Sequence, residues 1–130
     1  MNAMEPLVII GSNECPTIIM DKGKGLFEIH GQSLPEEAIS FYSPVIDWLE
    51  TYASDPNPQT VLSVQLDYCN SSSTKALADL FEVLEEIAGK GHPAEIIWHY
   101  MEDDDDMLDM GKELEEIIKV PFTFKVMKPN

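Results

Sequence analysis

Basic residues are scarce in this chain: 8 Lys and Arg stand against 24 Asp and Glu, leaving a net charge of −16. That excess repels phosphate backbones and anionic membranes, whose binding draws on clustered cations, so nucleic acid and membrane insertion are not expected. Cysteine is equally sparse. Cys15 and Cys69 are far apart, form no CxxC pair, and read as free thiols of a protein that works in a reducing cytoplasm. No stretch approaches the roughly 20 apolar residues of a membrane span, and the N-terminus lacks the basic, apolar, small-residue order of a signal peptide. Also missing are a glycine-rich phosphate loop, a GxSxG elbow, HxxxH spacing and a paired catalytic carboxylate motif. The chain therefore carries no enzyme signature and implies no cofactor or metal. What is there is globular: 44% apolar and 25% charged residues suit a single domain over residues 5–130, with "MNAM" (1–4) set aside as a tail.

Periodicity gives an α/β order. Leu7 to Ile10 and Thr17 to Met20 are short β-branched runs. "DKGKG" (21–25) reads as a tight turn into "LFEIHG", where Phe27 and Ile29 alternate with Glu28 and His30. A helix is expected from "SLPEEAISFYSPVIDWLETYAS", opened by a Ser33/Glu36 capping box with Pro35 in the first turn and kinked or interrupted at Pro44. Phe41, Tyr42, Val45, Leu49 and Tyr52 form its apolar stripe. "TVLSVQLDYC" alternates with period two, placing Leu62, Val64, Leu66 and Tyr68 on one face and Val61, Ser63, Gln65, Asp67 and Cys69 on the other. From Ser72 the period becomes helical through Leu77, Leu80, Phe81, Leu84, Ile87 and Ala88. A strand over 94–101, a helix over 105–119 with Leu108, Leu114, Ile117 and Ile118 inward, and a strand over 122–127 complete the chain. An N-terminal hairpin followed by alternating helix and strand predicts a mixed sheet with helices packed on it and a mainly parallel later half.

The sharpest local feature is "CNSSSTKAL" (69–77), a run of four hydroxyls, Ser71, Ser72, Ser73 and Thr74, where a strand gives way to a helix. Hydroxyls there cap helices everywhere, yet unpaired N–H groups and the positive helix end also make the position a tolerant phosphoacceptor. Asp67 and Cys69 precede the junction. A Cys69 nucleophile would need a base that none of His30, His92 or His99 supplies by spacing. The acidic run Glu102 to Asp106 lacks the spaced ligands and central glycine of a calcium loop, and is explained by the macrodipole of the third helix. Trp48, Trp98 and Tyr100 sit in apolar patterns and read as packing. Two alternatives stay open: a small metal-dependent hydrolase using Asp67, Cys69 and the acidic run, and a small-ligand sensor with the aromatics lining a pocket.

"VIDWLE", "LDYCNSSSTKAL", "IIWHYMEDDDDMLDMGKELEEI" and "PFTF" together resemble, in order and spacing, the SiaC family of bacterial biofilm-regulation phosphoproteins. The "YxNSSS" junction and the "WHY" strand before an acidic helix start are the specific parts. The resemblance implies a STAS-like fold, similar to anti-sigma-factor antagonists. It also implies a switch in which the unmodified protein binds and activates a diguanylate cyclase, while phosphorylation blocks that binding. The implied enzymes are a serine/threonine kinase of the histidine-kinase-like ATPase type and a PP2C-type phosphatase. Carried onto this chain, the acceptor is the hydroxyl directly after Asn70, namely Ser71. The best-known form of the motif has Thr there, so Ser72, Ser73 and Thr74 stay open as acceptors. Asp67, Tyr68, Asn70, Ser72 and Ser73 are the implied partner-binding or supporting residues.

Overall fold

The computed structural model describes residues 4–128. Its elements run β1 (Leu7–Ile9), β2 (Thr17–Asp21), β3 (Leu26–Ser33), α1 (Ala38–Tyr52), β4 (Thr60–Cys69), α2 (Ser71–Gly89), β5 (Ala94–Met101), α3 (Asp105–Ile117) and β6 (Phe122–Met127). The six strands form one sheet whose order is the order of the chain. β1, β2 and β3 pair antiparallel, and β3 through β6 pair parallel. This is the mixed sheet that hairpin and helix–strand alternation predict.

Three parallel crossovers of one hand, all advancing in the same direction across a sheet, place their helices on the same side. The core rows show it. Phe27, Leu62, Ile96 and Phe122 are register partners in one row, and Ile29, Val64, Trp98 and Phe124 in another. Tyr52 of α1 packs its ring 5.2 Å from Phe27, Phe81 of α2 stands edge-on to Phe122, and Gly111 of α3 lies against Trp98. Trp98, Tyr42, Tyr52 and Phe81 are fully buried. The other face of the sheet carries Glu28, Ser63, Ile97 and Thr123 in one row and His30, Gln65, His99 and Lys125 in the next, and among the described residues no helix covers it.

Several expectations are corrected. α1 begins at Ala38, with Glu37 at its N-cap and no side-chain cap. Ser33 is the last residue of β3, paired with Cys69, and its buried hydroxyl bonds to Tyr42 and Ser73 instead of opening a helix. Pro35 accordingly precedes the helix. α1 also runs uninterrupted through Pro44. The carbonyl that Pro44 leaves without a donor is that of Ser40, which is exposed and open to water. In α3 the buried residues are Met107, Gly111 and Leu114, whereas Leu108 is only half-buried. Ile117 is 64% exposed, because the chain turns extended at Ile118 and that residue takes the buried place. Residues 1–3 of the expected tail lie outside the described residues, while Met4 packs against the core.

Candidate functional site

The corner between β4 and α2 is shaped by one extra residue. Gly31 pairs with Leu66, but Gln32 pairs with Tyr68, so Asp67 bulges out of the β3–β4 ladder. A bulge inverts the side-chain phase beyond it. Tyr68, expected inward with Leu66, is 56% exposed, and Cys69, expected on the opposite face, is buried. The local reversal sends an aromatic ring into solvent two residues before the α2 cap.

Asn70 is that cap. Its backbone is extended, its Oδ1 accepts from the Ser73 amide at 2.9 Å, and its Nδ2 donates to the Pro35 carbonyl at 3.2 Å. Its own N–H donates to the Ser33 carbonyl, which ties the corner to the end of β3. Since Asn70 caps the helix, none of the four hydroxyls is required to. They divide by burial. Ser71 and Ser72, in the first turn, are exposed, and their amides belong to the unpaired N-terminal set that gives this end its positive potential. Ser73 is fully buried. Thr74 is half-buried, donating to the Asn70 carbonyl and lying 3.5 Å from the Met110 sulfur.

Beneath the corner runs a chain of buried hydroxyls that periodicity alone does not reveal. Ser33 Oγ donates to Ser73 Oγ at 2.7 Å, and Ser73 Oγ donates to the Ser33 carbonyl at 3.1 Å. Ser33 having spent its proton, Tyr42 must donate across the 2.7 Å contact to Ser33 Oγ. Burial, partly offset by the Ser33 hydrogen bond, pushes the Tyr42 phenol well above its usual range, so it stays protonated and available as that donor. Spacing alone places Ser33 at a helix cap and Tyr42 in an apolar stripe, and shows neither as part of this chain of hydroxyls.

Around the exposed hydroxyls the surface is concave on two sides. A groove of about 640 Å³ between α2 and α3 is lined by Ser71, Thr74, Lys75, Ala78, Met110 and Ile117, among others. A crevice of about 400 Å³ separates Ser72 from the start of α1 at Glu36 to Ser40. Lys75 lines both.

The residues of the alternative readings do not converge. The Cys69 thiol is pushed up to about 11 by burial, with its contact to Thr74 working the other way, which is the reverse of what a nucleophile needs. Among the described residues no group of three or more His, Cys, Asp or Glu side chains is placed to hold a metal ion. In the acidic run, Asp104 caps α3 by accepting from the Met107 amide, and Asp105 and Asp106 fill its first turn. Trp98 donates its indole N–H to the Met107 carbonyl inside the core, and Trp48 donates to the Glu5 carbonyl while stacking on Tyr52. His99 lies on the uncovered sheet face, 3.0 Å from Ser63 Oγ.

Comparison with known proteins agrees with this geometry. The sequence profile of SiaC family regulatory phosphoproteins matches residues 9–127. An uncharacterised protein of Pseudomonas aeruginosa strain UCBPP-PA14 is 32% identical over 122 residues, spanning 94% of this chain and 97% of that protein. Among solved structures, SiaC of Pseudomonas aeruginosa superposes with a TM-score of 0.86 at 31% identity, covering 95% of this chain and 100% of that one. A crystal structure of the diguanylate cyclase SiaD in complex with its activator SiaC, also from Pseudomonas aeruginosa, matches equally well, with a TM-score of 0.86 at 31% identity over 93% of this chain and 99% of that one. No helix among the described residues is long and apolar enough to cross a membrane. Profile, sequence relative and superposition agree over nearly the whole length, and the chain belongs to the SiaC family of regulatory phosphoproteins.

Proposed function

We propose that this protein is a non-catalytic phospho-switch of the cytoplasm whose unmodified form binds and activates a diguanylate cyclase. Phosphorylation of Ser71 by a serine/threonine kinase of the histidine-kinase-like ATPase type blocks that binding, and a PP2C-type phosphatase restores it. Family membership and the matching structure of a SiaC with the cyclase it activates support the partner. The observation that carries the acceptor is the burial pattern of the hydroxyl run. Ser71 is exposed at the first position of α2 and lines the groove between α2 and α3, whereas Ser73 is sealed in the core and Thr74 is engaged by Asn70. Ser72 is exposed too, on the crevice toward α1, and is the second choice.

Phosphorylation would add about −1.5 to −2 charges and three acceptor oxygens where free amides and the helix dipole tolerate them, so the fold need not change. A partner seated on the corner would instead meet new bulk and desolvation cost at its contact surface. Asp67, Tyr68, Asn70, Ser72 and Ser73 serve this site in different ways. Asp67 and Tyr68 present the exposed rim, Asn70 and Ser73 fix the turn, and Ser72 adjoins the acceptor.

The test is phosphorylation by the cognate kinase with ATP, read by intact mass and peptide mapping, followed by cyclase binding. Wild type should take up one phosphate at Ser71 and lose cyclase binding, and Ser71→Ala should take up none and keep it. Full modification of Ser71→Ala would refute the acceptor, and undiminished cyclase binding by the phosphorylated protein would refute the switch.

A further inference from the structure

The groove that opens at Ser71 does not end there. A second depression of about 790 Å³, lined by residues of α2 from Glu82 to Gly89, meets it at Ile117, which borders both. Together they follow α2, a helix of 19 residues and so about 28 Å long. The floor is apolar, with Ala78, Met110 and Ala88 along it and Ile117 rising 64% exposed near its middle. Helical spacing would have turned Ile117 inward; instead it stands exposed where the two depressions meet, and its apolar surface continues the floor formed by Ala78, Met110 and Ala88.

The walls are acidic. Asp106, Asp109 and Glu113 stand on the α3 side, and Glu82, Glu85 and Glu86 on the α2 side. Against them, among the described residues, the groove is lined by two cations, Lys75 and Lys119. Among the described residues the ion pairs are Lys22 with Asp55 and Lys112 with Glu115, so none of these six carboxylates is paired with a cation. Among the described residues only Glu85 of the six has a protein donor, the Lys119 amide. A second copy of this chain would bring the same carboxylates and its own net charge of −16, and is repelled from this surface. Anionic lipid and nucleic acid are excluded on the same ground.

We propose that the groove between α2 and α3 receives a Lys/Arg-rich protein segment that sets apolar side chains onto Ile117 while its cations meet the two acidic walls. This rests on the phospho-switch reading for its regulatory meaning, since the occupant would cover Ser71 at the groove's mouth. It does not rest on that reading for binding itself. The acidic walls give the segment its charge preference, and Ile117 fixes its position along the groove.

The probe is a synthetic amphipathic helical peptide of Leu and Lys, with a counterpart in which Glu replaces every Lys. It is titrated into the unmodified, 15N-labelled protein while amide shifts are followed. The Lys peptide should perturb amides within 75–89 and 106–117, weaken steeply as salt rises, and lose at least tenfold in affinity on Ile117→Glu. Val8→Glu, which alters a comparably exposed apolar residue on β1, should leave binding unchanged, and the Glu counterpart should not bind. Shifts spread over the uncovered sheet face, or a change under twofold on Ile117→Glu, would overturn the proposal. Because the protein is unmodified throughout, such a failure leaves the Ser71 switch standing. Failure of Ser71 to be phosphorylated would likewise leave the groove standing.

Discussion

Removing a hydroxyl of the chain Tyr42–Ser33–Ser73 that leaves a neighbour's donor stranded should cost more than its own hydrogen bond, and removing the Tyr42 and Ser33 hydroxyls together should cost less than the sum of the two. In Ser33→Ala the Tyr42 phenol loses its acceptor at a site with no solvent access. A buried donor left unsatisfied costs about 1–3 kcal/mol, and about 2 kcal/mol is expected here. Tyr42→Phe takes away the first donor of the chain and strands nothing, because Ser33 still donates to Ser73. Its cost should be near that of an ordinary net hydrogen bond, about 1 kcal/mol. In the double variant no phenol remains to be stranded, so the combined loss should fall about 1 kcal/mol or more short of the roughly 3 kcal/mol sum. Ser73→Ala, which strands the Ser33 proton instead, should match Ser33→Ala. Urea unfolding of the four proteins, with midpoints converted at constant slope, measures the cycle. Additivity within about 0.3–0.5 kcal/mol would show that the hydroxyls act independently and that the donor order deduced for them is wrong.

Gly111→Ala should destabilise although alanine favours helix by about 1 kcal/mol. The added Cβ would lie 2.6 Å from the Trp98 ring and 2.8 Å from Phe124. A net loss of about 1–3 kcal/mol is expected by thermal or urea unfolding, and a stabilised variant would mean that α3 can slide off the sheet. Burial and the nearby Lys125 charge lower the pKa of His99 from its usual 6.5. The unfolded chain therefore binds this proton more readily than the folded one, and stability is lost as pH falls below about 6.5. His99→Gln should remove that increment, seen as a shallower fall in stability between about pH 7.5 and 5.5, and identical profiles would refute it. With its thiol raised to about 11 and 5% exposed, Cys69 should resist alkylation at neutral pH until the protein unfolds. The half-buried Cys15 should label first, and peptide mapping showing Cys69 modified in the native state would contradict the burial.

Elements governed by a single uniform period were legible in the chain. The stripe of α2 and the alternation of β4 through Leu66 both emerge as the residues suggest, since each answers to one packed face. The acidic start of α3 was legible for a similar reason, because carboxylates and the macrodipole interact locally. What the residues did not show was decided by partners distant in sequence. The bulge at Asp67 exists only in the pairing of β4 with β3, so nothing local announces that Tyr68 and Cys69 exchange sides. Ser33 followed by Glu36 has the pattern of a cap, yet a strand partner at Cys69 and a hydroxyl 40 residues away at Ser73 hold it in the sheet. Ile117 fits the helical stripe, and only the exit of the chain at Ile118 turns it outward. At the candidate site, the strand-to-helix junction could be read in advance. The sorting of its hydroxyls into exposed and sealed could not, because one helical turn aims them in different directions.

The sheet's order, in which each strand lies beside its predecessor, has a consequence for what the Ser71 corner can be. In doubly wound proteins successive crossovers leave in opposite directions somewhere along the sheet, and the strands part at their carboxyl ends to open a crevice that swallows a ligand. Here every crossover advances the same way, so the carboxyl edge is never pulled apart. The end of β4 and the start of α2 form an exposed corner flanked by open grooves rather than a closed crevice. If Ser71 is the acceptor proposed above, the groups that modify it must be carried by another protein, whose own surface supplies the enclosure that this fold leaves unbuilt.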